Sequence, residues 1–110
     1  MSGTDHLGEL EQMVLLAILR LGEDAYGRTV RRELEQTADR KVSAGAAYVT
    51  LDRLETKGYL RSRTGESEPG RGGRPKRYYR VTEEGKEALA SARRSLDRMW
   101  SGLEDLVKEG

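Results

Sequence analysis

The sequence predicts a mainly α-helical domain of the α+β class: three helices, a small β-hairpin and one last helix. Three observations predict it. Apolar residues recur at intervals of three and four in four segments. Two short segments alternate every second residue instead, on either side of a turn that holds four glycines and both prolines. Ser43 and Thr82 stand where helices should start, Gly22 and Gly58 where they should stop.

The first helix is read in LGELEQMVLLAILRL, Leu7 to Leu21, where Leu10, Val14, Ala17 and Leu21 share one stripe and Leu15, Leu16 and Leu19 lie on others. A helix apolar nearly all round needs cover on more than one side, from its own domain and from a sister subunit. Asp24 is the expected N-cap of a second helix running to about Thr37, with Tyr26, Val30 and Leu34 inward and Arg28, Arg31 and Arg32 elsewhere. Gly27 lowers helix propensity there, which predicts another backbone passing close by. Ser43 caps a third helix from Ala44 to Lys57, whose core stripe is Ala47, Leu51 and Leu54. Its opposite side carries Gly45, Val49 and Arg53, flanked by Ala46 and Tyr48, a mostly small surface that suits entry into a groove.

Tyr59 to Thr64 and Lys76 to Thr82 form the hairpin around GESEPGRGGRP. Tyr78 and Tyr79 must point to opposite faces, and Tyr79, sharing a face with Val81, is the expected core residue. Thr82, Glu83 and Glu84 open the last helix with acidic groups where the helix dipole favours them. Leu89, Ala92, Leu96, Met99, Leu103 and Leu106 then recur in the rhythm of a coiled-coil seam. The alternative is a stripe packed on the chain's own domain. The expected division is a unit of three helices and a hairpin over residues 1–82, with the hairpin as its wing at 59–82, and a dimerisation helix over 83–110.

The 110 residues suffice for one domain with a modest core, and 35% of them are charged. The absence of cysteine excludes disulfides, thiolate metal sites and cysteine nucleophiles. Met13 to Leu19, the longest apolar run, is too short to cross a bilayer, and no basic leader precedes it. A cytoplasmic protein without membrane contact is expected. The net charge of +1 hides a strong division. Residues 1–27 carry one basic and five acidic groups, a net −4; residues 28–80 carry fourteen and seven, +7; residues 81–110 carry five and seven, −2. A basic middle between acidic ends is the footprint of a surface for polyanions.

Three helices followed by a two-stranded wing is the order of a winged helix-turn-helix, in which the third helix enters the major groove of duplex DNA. The expected DNA-binding residues are Ser43, Gly45, Ala46, Tyr48, Val49 and Arg53 on that helix. On the wing they are Arg71, Gly72, Gly73, Arg74, Lys76 and Arg77. From Arg71 to Arg80 five cations occur with no acid, a set that calls for phosphates. Gly73-Arg74-Pro75 resembles the short core of hooks that read a narrow minor groove. Tyr48 is either a phosphate donor or a half-buried spacer between helices. Catalysis finds no residues: the single histidine, His6, lies near the N-terminus, and the carboxylates fall on solvated helix faces. No metal and no cofactor is expected. A winged-helix module that binds a protein partner, without an operator, is the alternative function.

The segments LGELEQMVLLAIL, DAYG at 24–27, SAGAAYVTLDRLETKGYL at 43–60 and GGRPKRYYRVTEEG at 72–85 together resemble the PadR family of transcription regulators. The single short C-terminal helix is similar to the compact branch of that family. The resemblance implies a homodimeric repressor whose first and last helices build the interface, and whose DNA binding a small apolar or aromatic ligand relieves. It places Met13, Leu16, Leu89, Leu96, Met99, Trp100, Leu103 and Leu106 at the interface and ligand site. Leu96 stands where that branch usually carries its drug-binding tryptophan, and Trp100 follows one turn later. Trp100 with Met13 then frames either a flat ligand slot or plain dimer core.

Overall fold

A computed structural model describes residues 7–65 and 75–107. In chain order it contains α1 (Glu9–Leu21), a 3-10 turn (Gly22–Asp24), α2 (Gly27–Ala38), α3 (Ala44–Thr56), β1 (Leu60–Thr64), β2 (Arg77–Val81) and α4 (Glu83–Trp100). This is the expected α+β architecture. His6 and the wing residues Arg71, Gly72, Gly73 and Arg74 lie outside the described residues.

The expected caps at Ser43 and Thr82 set two helix starts. The Ser43 hydroxyl accepts from Ala46 N–H at 3.1 Å and that of Thr82 from Gly85 N–H at 3.0 Å, each satisfying a backbone donor the first turn leaves free. At the other end of α3, Gly58 takes φ 85° and lets Tyr59 N–H reach Leu54 O at 2.9 Å.

The start of α2 departs from expectation. Asp24 ends the 3-10 turn instead of capping a helix, and Tyr26 is the N-cap. The cause is a competing demand from the sheet. Tyr79 N–H donates to Ala25 O at 2.9 Å and Tyr26 bridges Tyr78, so residues 25 and 26 are held extended along the free edge of β2. Thr29 closes the junction: its hydroxyl accepts from Tyr26 N–H at 3.0 Å and donates to Asp24 O at 2.6 Å.

β1 and β2 pair antiparallel with Leu60 opposite Val81 and Ser62 opposite Tyr79. That register turns Leu60, Tyr79 and Val81 inward, all buried, onto the side chains of Val14, Leu15, Ile18, Val30, Leu51 and Leu54. Each of these fully buried aliphatic side chains contributes about 1.5 to 3 kcal/mol relative to exposure. Burial pushes the Tyr79 phenol above its ordinary value of 10.0, so it packs as a neutral group.

One ion pair ties the first helix to the third. Lys57, the C-cap of α3, donates to both carboxylate oxygens of Glu11 at 2.9 and 3.1 Å. Glu11 also accepts from Gly8 N–H at 2.9 Å, so it closes the start of its own helix. Burial alone would raise its pKa, but the Gly8 N–H and the Lys57 ammonium outweigh burial and hold it below 4.5. A depressed carboxylate contributes stability above its unfolded pKa and loses it as pH falls through the folded value. Glu11→Gln is therefore expected to cost about 1 to 2 kcal/mol at pH 7. It should also flatten the loss of urea stability between about pH 5 and pH 3. An unchanged acid slope would show that the pair is not linked to folding.

The last helix stands apart from this core. Ala88 and Leu89 pack against it, whereas every residue from Arg93 to Trp100 is exposed. The apolar rhythm runs on past the helix, but the helix does not: Ser101 leaves helical geometry and Gly102 takes φ 83°, so Leu103 and Leu106 lie in turns beyond Trp100. The seam expected through Leu106 is helical only to Met99. No helix among the described residues is long and apolar enough to cross a membrane.

Candidate nucleic-acid interface

The chain folds so that α3 presents one face inward and one outward. Ala47, Leu51 and Leu54 are fully buried, and Thr50 adds a hydroxyl that donates to Ala46 O at 2.8 Å. Ser43, Gly45, Ala46, Tyr48, Val49 and Arg53 are all exposed, as the spacing predicted. Asp52 lies exposed on the same helix. Gly45 has nothing within 4 Å of where a Cβ would stand, so its small size serves no contact inside the domain.

Tyr48 is 52% exposed, yet its ring end is placed by α2. A Cβ on Gly27 would stand 2.8 Å from the Tyr48 hydroxyl, so the close neighbour expected at Gly27 is this side chain and not a backbone segment. The phenol therefore sits at the first turn of α2. Around it Tyr26, Gly27, Arg28, Tyr48, Pro75, Lys76 and Arg77 line an open cleft of about 370 Å³. Here the recognition-helix candidate, the second helix and the wing base converge.

Lys76 is anchored at the rim of that cleft. Its ammonium lies 4.5 Å from the centre of the Tyr26 ring, with Nζ 3.4 Å from the Tyr26 hydroxyl. Arg77 is exposed opposite Thr64. On the outward face of the hairpin Tyr26 meets Tyr78 edge-on at 5.4 Å, Arg63 covers Tyr78 at 4.7 Å, and Arg61 stands directly opposite Arg80.

A second cleft was not anticipated from the sequence. Arg28, Arg31, Arg32, Glu35, Lys41, Val42 and Ser43 line about 640 Å³ between α2 and the turn into α3. The signal was available: positions 28, 31, 32 and 35 share the side of α2 opposite buried Val30 and Leu34. Arg31 is committed, its Nε donating to Val42 O at 3.0 Å and fixing the turn.

The residues expected at a subunit interface divide into two groups. Met13 and Leu89 are partly buried against the chain's own core. Leu16, Leu96, Met99, Trp100, Leu103 and Leu106 are exposed, as is Leu19. Among the described residues no group of three His, Cys, Asp or Glu is arranged to hold a metal.

Comparisons with known proteins agree with this geometry. Solved structures share the fold over most of both chains. A transcriptional regulator of Clostridium thermocellum is 22% identical with a TM-score of 0.71, covering 90% of this chain and 93% of that one. A PadR-like transcriptional regulator of Bacillus cereus is 24% identical with a TM-score of 0.70, covering 92% and 93%. A PadR family transcriptional regulator of Eggerthella lenta is 28% identical with a TM-score of 0.69, covering 93% and 88%. No curated protein matches the sequence. The model of the PadR-like transcriptional regulators matches residues 15–91, from the middle of α1 to the middle of α4, and the chain therefore belongs to the PadR-like family of transcriptional regulators.

Proposed function

We propose that this protein is a homodimeric, sequence-specific repressor that acts in the cytoplasm on a pseudo-palindromic operator. The observation that carries the DNA-binding part is the convergence of the Tyr48 hydroxyl, Arg28, Lys76 and Arg77 on one cleft beside the exposed face of α3. A helix with small outward residues enters a major groove, and hydroxyl and cationic groups at its edge grip the adjoining phosphates. Residues 1–82 form the DNA-binding unit, and residues 83–110 form the dimerisation segment. Ser43, Gly45, Ala46, Val49 and Arg53 face the bases, with the methyl groups of Ala46 and Val49 suited to thymine and Arg53 to guanine. Arg71, Gly72, Gly73 and Arg74 add contacts in the turn of the wing.

The dimer is supported by the bare half of α4. An isolated helix of this length is marginal in water, and its Leu96, Met99 and Trp100 are exposed together with Leu16 and Leu19 of α1. A two-fold pair of these faces would hold two copies of α3 at half-sites about 10 bp apart or a multiple of that. Selection from random duplexes should return such a symmetric sequence; an asymmetric consensus, or none, would overturn the proposal. A small apolar or aromatic effector would lodge at the same faces, next to Trp100. As the only tryptophan, Trp100 should report planar aromatic compounds by quenching or a shifted emission.

Two substitutions separate contact from folding. Tyr48→Phe is expected to lower affinity about fivefold for every duplex sequence alike, since a phosphate contact carries no sequence, with the urea midpoint unchanged. Gly45→Ala should stabilise the fold by about 0.5 kcal/mol through helix propensity. It should nevertheless weaken operator binding, because the added methyl projects from the groove-facing side. Anisotropy titrations beside urea unfolding read both; a Gly45→Ala protein with undiminished operator affinity would remove that face from the groove.

A further inference from the structure

We infer that the cleft between α2 and the α2–α3 turn is a second phosphate seat, which carries the DNA contact along α2 beyond the recognition helix and the wing. The inference rests on the DNA-binding reading above and adds two residues that reading does not use, Arg32 and Lys41, joined to its cleft through Arg28.

Three observations support it. The cleft is lined by four cations and one carboxylate, Glu35, although the whole chain is nearly neutral. Some cations elsewhere are paired, as Arg20 with Glu33, Arg40 with Glu9, Lys57 with Glu11 and Arg63 with Glu23. Others such as Arg53, Arg61 and Arg94 stand singly among the described residues; what sets this cleft apart is that its cations line one concavity. Arg28, Arg32 and Lys41 are exposed and make no ion pair among the described residues. Three unpaired cations held close together repel one another, and a polyanion relieves that repulsion while it releases condensed counterions. Finally, Arg28 lines both this cleft and the one at Tyr48, Lys76 and Arg77. The two clefts therefore form one continuous track from the wing base to the start of α3.

The geometry suits a strand of duplex backbone. The first helix of a helix-turn-helix crosses the backbone while the second lies in the groove, and the track follows the first. Arg31 acts as a positioning residue, since its bond to Val42 O fixes the turn that carries Lys41 and Ser43. Glu35 opposes the phosphates and weakens binding to any sequence.

The test is anisotropy of the full chain on a labelled 30-bp duplex of random sequence between about 50 and 200 mM KCl, where the slope of log K against log salt is about −0.9 per phosphate contact. The triple variant Arg28→Ala, Arg32→Ala, Lys41→Ala should flatten that slope by about 2 to 3 units and lower affinity by more than tenfold at the higher salt. Arg28→Lys with Arg32→Lys, which keeps both charges, should restore most of the slope, and matched circular dichroism excludes unfolding as the cause. Glu35→Gln should tighten binding about twofold, the size of one screened charge at that range. A wild-type slope in the triple variant would overturn the second seat and the share of Arg28 in the first cleft, and leave the contacts of α3, Lys76 and Arg77 in the DNA-binding reading intact. A wild-type protein that ignores the duplex at 50 mM salt would overturn both.

Discussion

Leu96→Glu combined with Met99→Glu is expected to dissociate the proposed dimer to monomers at micromolar concentration and to lower operator affinity by two orders of magnitude or more. Both side chains lie on the half of α4 that its own domain leaves uncovered, Leu96 57% and Met99 74% exposed. Each is worth about 1.5 kcal/mol or more when buried, and a two-fold interface counts each substitution twice. Four carboxylates brought into one apolar contact cannot all be paired, so the interface loses its driving force and gains a desolvation cost. The drop in affinity follows from linkage: two DNA-binding units on one body engage the second half-site as an intramolecular event, an advantage of about 10² to 10⁴ that separate monomers lack. Light scattering after gel filtration and operator titration measure the two effects together. The folded domain should survive, because Leu96 and Met99 lie beyond the part of α4 that packs on the core. A variant that remains dimeric would place the interface elsewhere.

Where one principle acted alone, the sequence was a sufficient guide. Ser43 and Thr82 face no competitor for the start of their helices, and the alternation in the hairpin admits one register that buries Leu60, Tyr79 and Val81 together. The readings that failed are those where a distant partner decides. Asp24 has the right side chain for a cap, but the edge of β2 claims the backbone at Ala25 and Tyr26 first, and β2 lies some fifty residues away. Gly27 was legible as a close approach, while the identity of its neighbour, Tyr48, depends on how α3 lies against α2. The apolar rhythm extended through Leu106 because apolar spacing does not register Ser101, where the chain leaves the helix, or the positive φ of Gly102 that follows.

The candidate site was legible to a similar degree and for similar reasons. The outward residues of α3 follow from which residues face in, so Gly45, Ala46, Tyr48, Val49 and Arg53 could be named from Ala47, Leu51 and Leu54. The α2 cations could not be separated from an ordinary solvated face, since the sequence alone does not say which cations find acids. Arg20 and Arg40 do, across separations of 13 and 31 residues, and Arg28, Arg32 and Lys41 do not among the described residues. What gathers these three is the concavity between α2 and the turn into α3, and that is a tertiary property.

The joint between wing and α4 yields the other large effect. Gly85→Val is expected to destabilise the fold by about 3 kcal/mol or more and to weaken operator binding beyond what lost stability explains. A Cβ at residue 85 would lie 2.5 Å from Tyr59 O and 2.8 Å from Val81 Cγ1. Neither neighbour can step aside. Tyr59 O already accepts from Thr82 N–H at 3.0 Å, and the Thr82 hydroxyl donates to Gly58 O at 2.7 Å while accepting from Gly85 N–H. Val81 is buried as the inward partner of Leu60. The added side chain must therefore push α4 away from the base of β1 and break the cap that starts it. The hairpin and α4 would then lose their fixed angle, which in the proposed dimer is the angle that spaces two copies of α3 on one duplex. Gly85→Ala should show the same signs at smaller size, about 1 to 3 kcal/mol, opposite in direction to Gly45→Ala, where the methyl meets nothing. Thermal unfolding with operator titrations distinguishes the two glycines; equal, mild stabilisation at both positions would mean that Tyr59 and α4 are not in contact in solution.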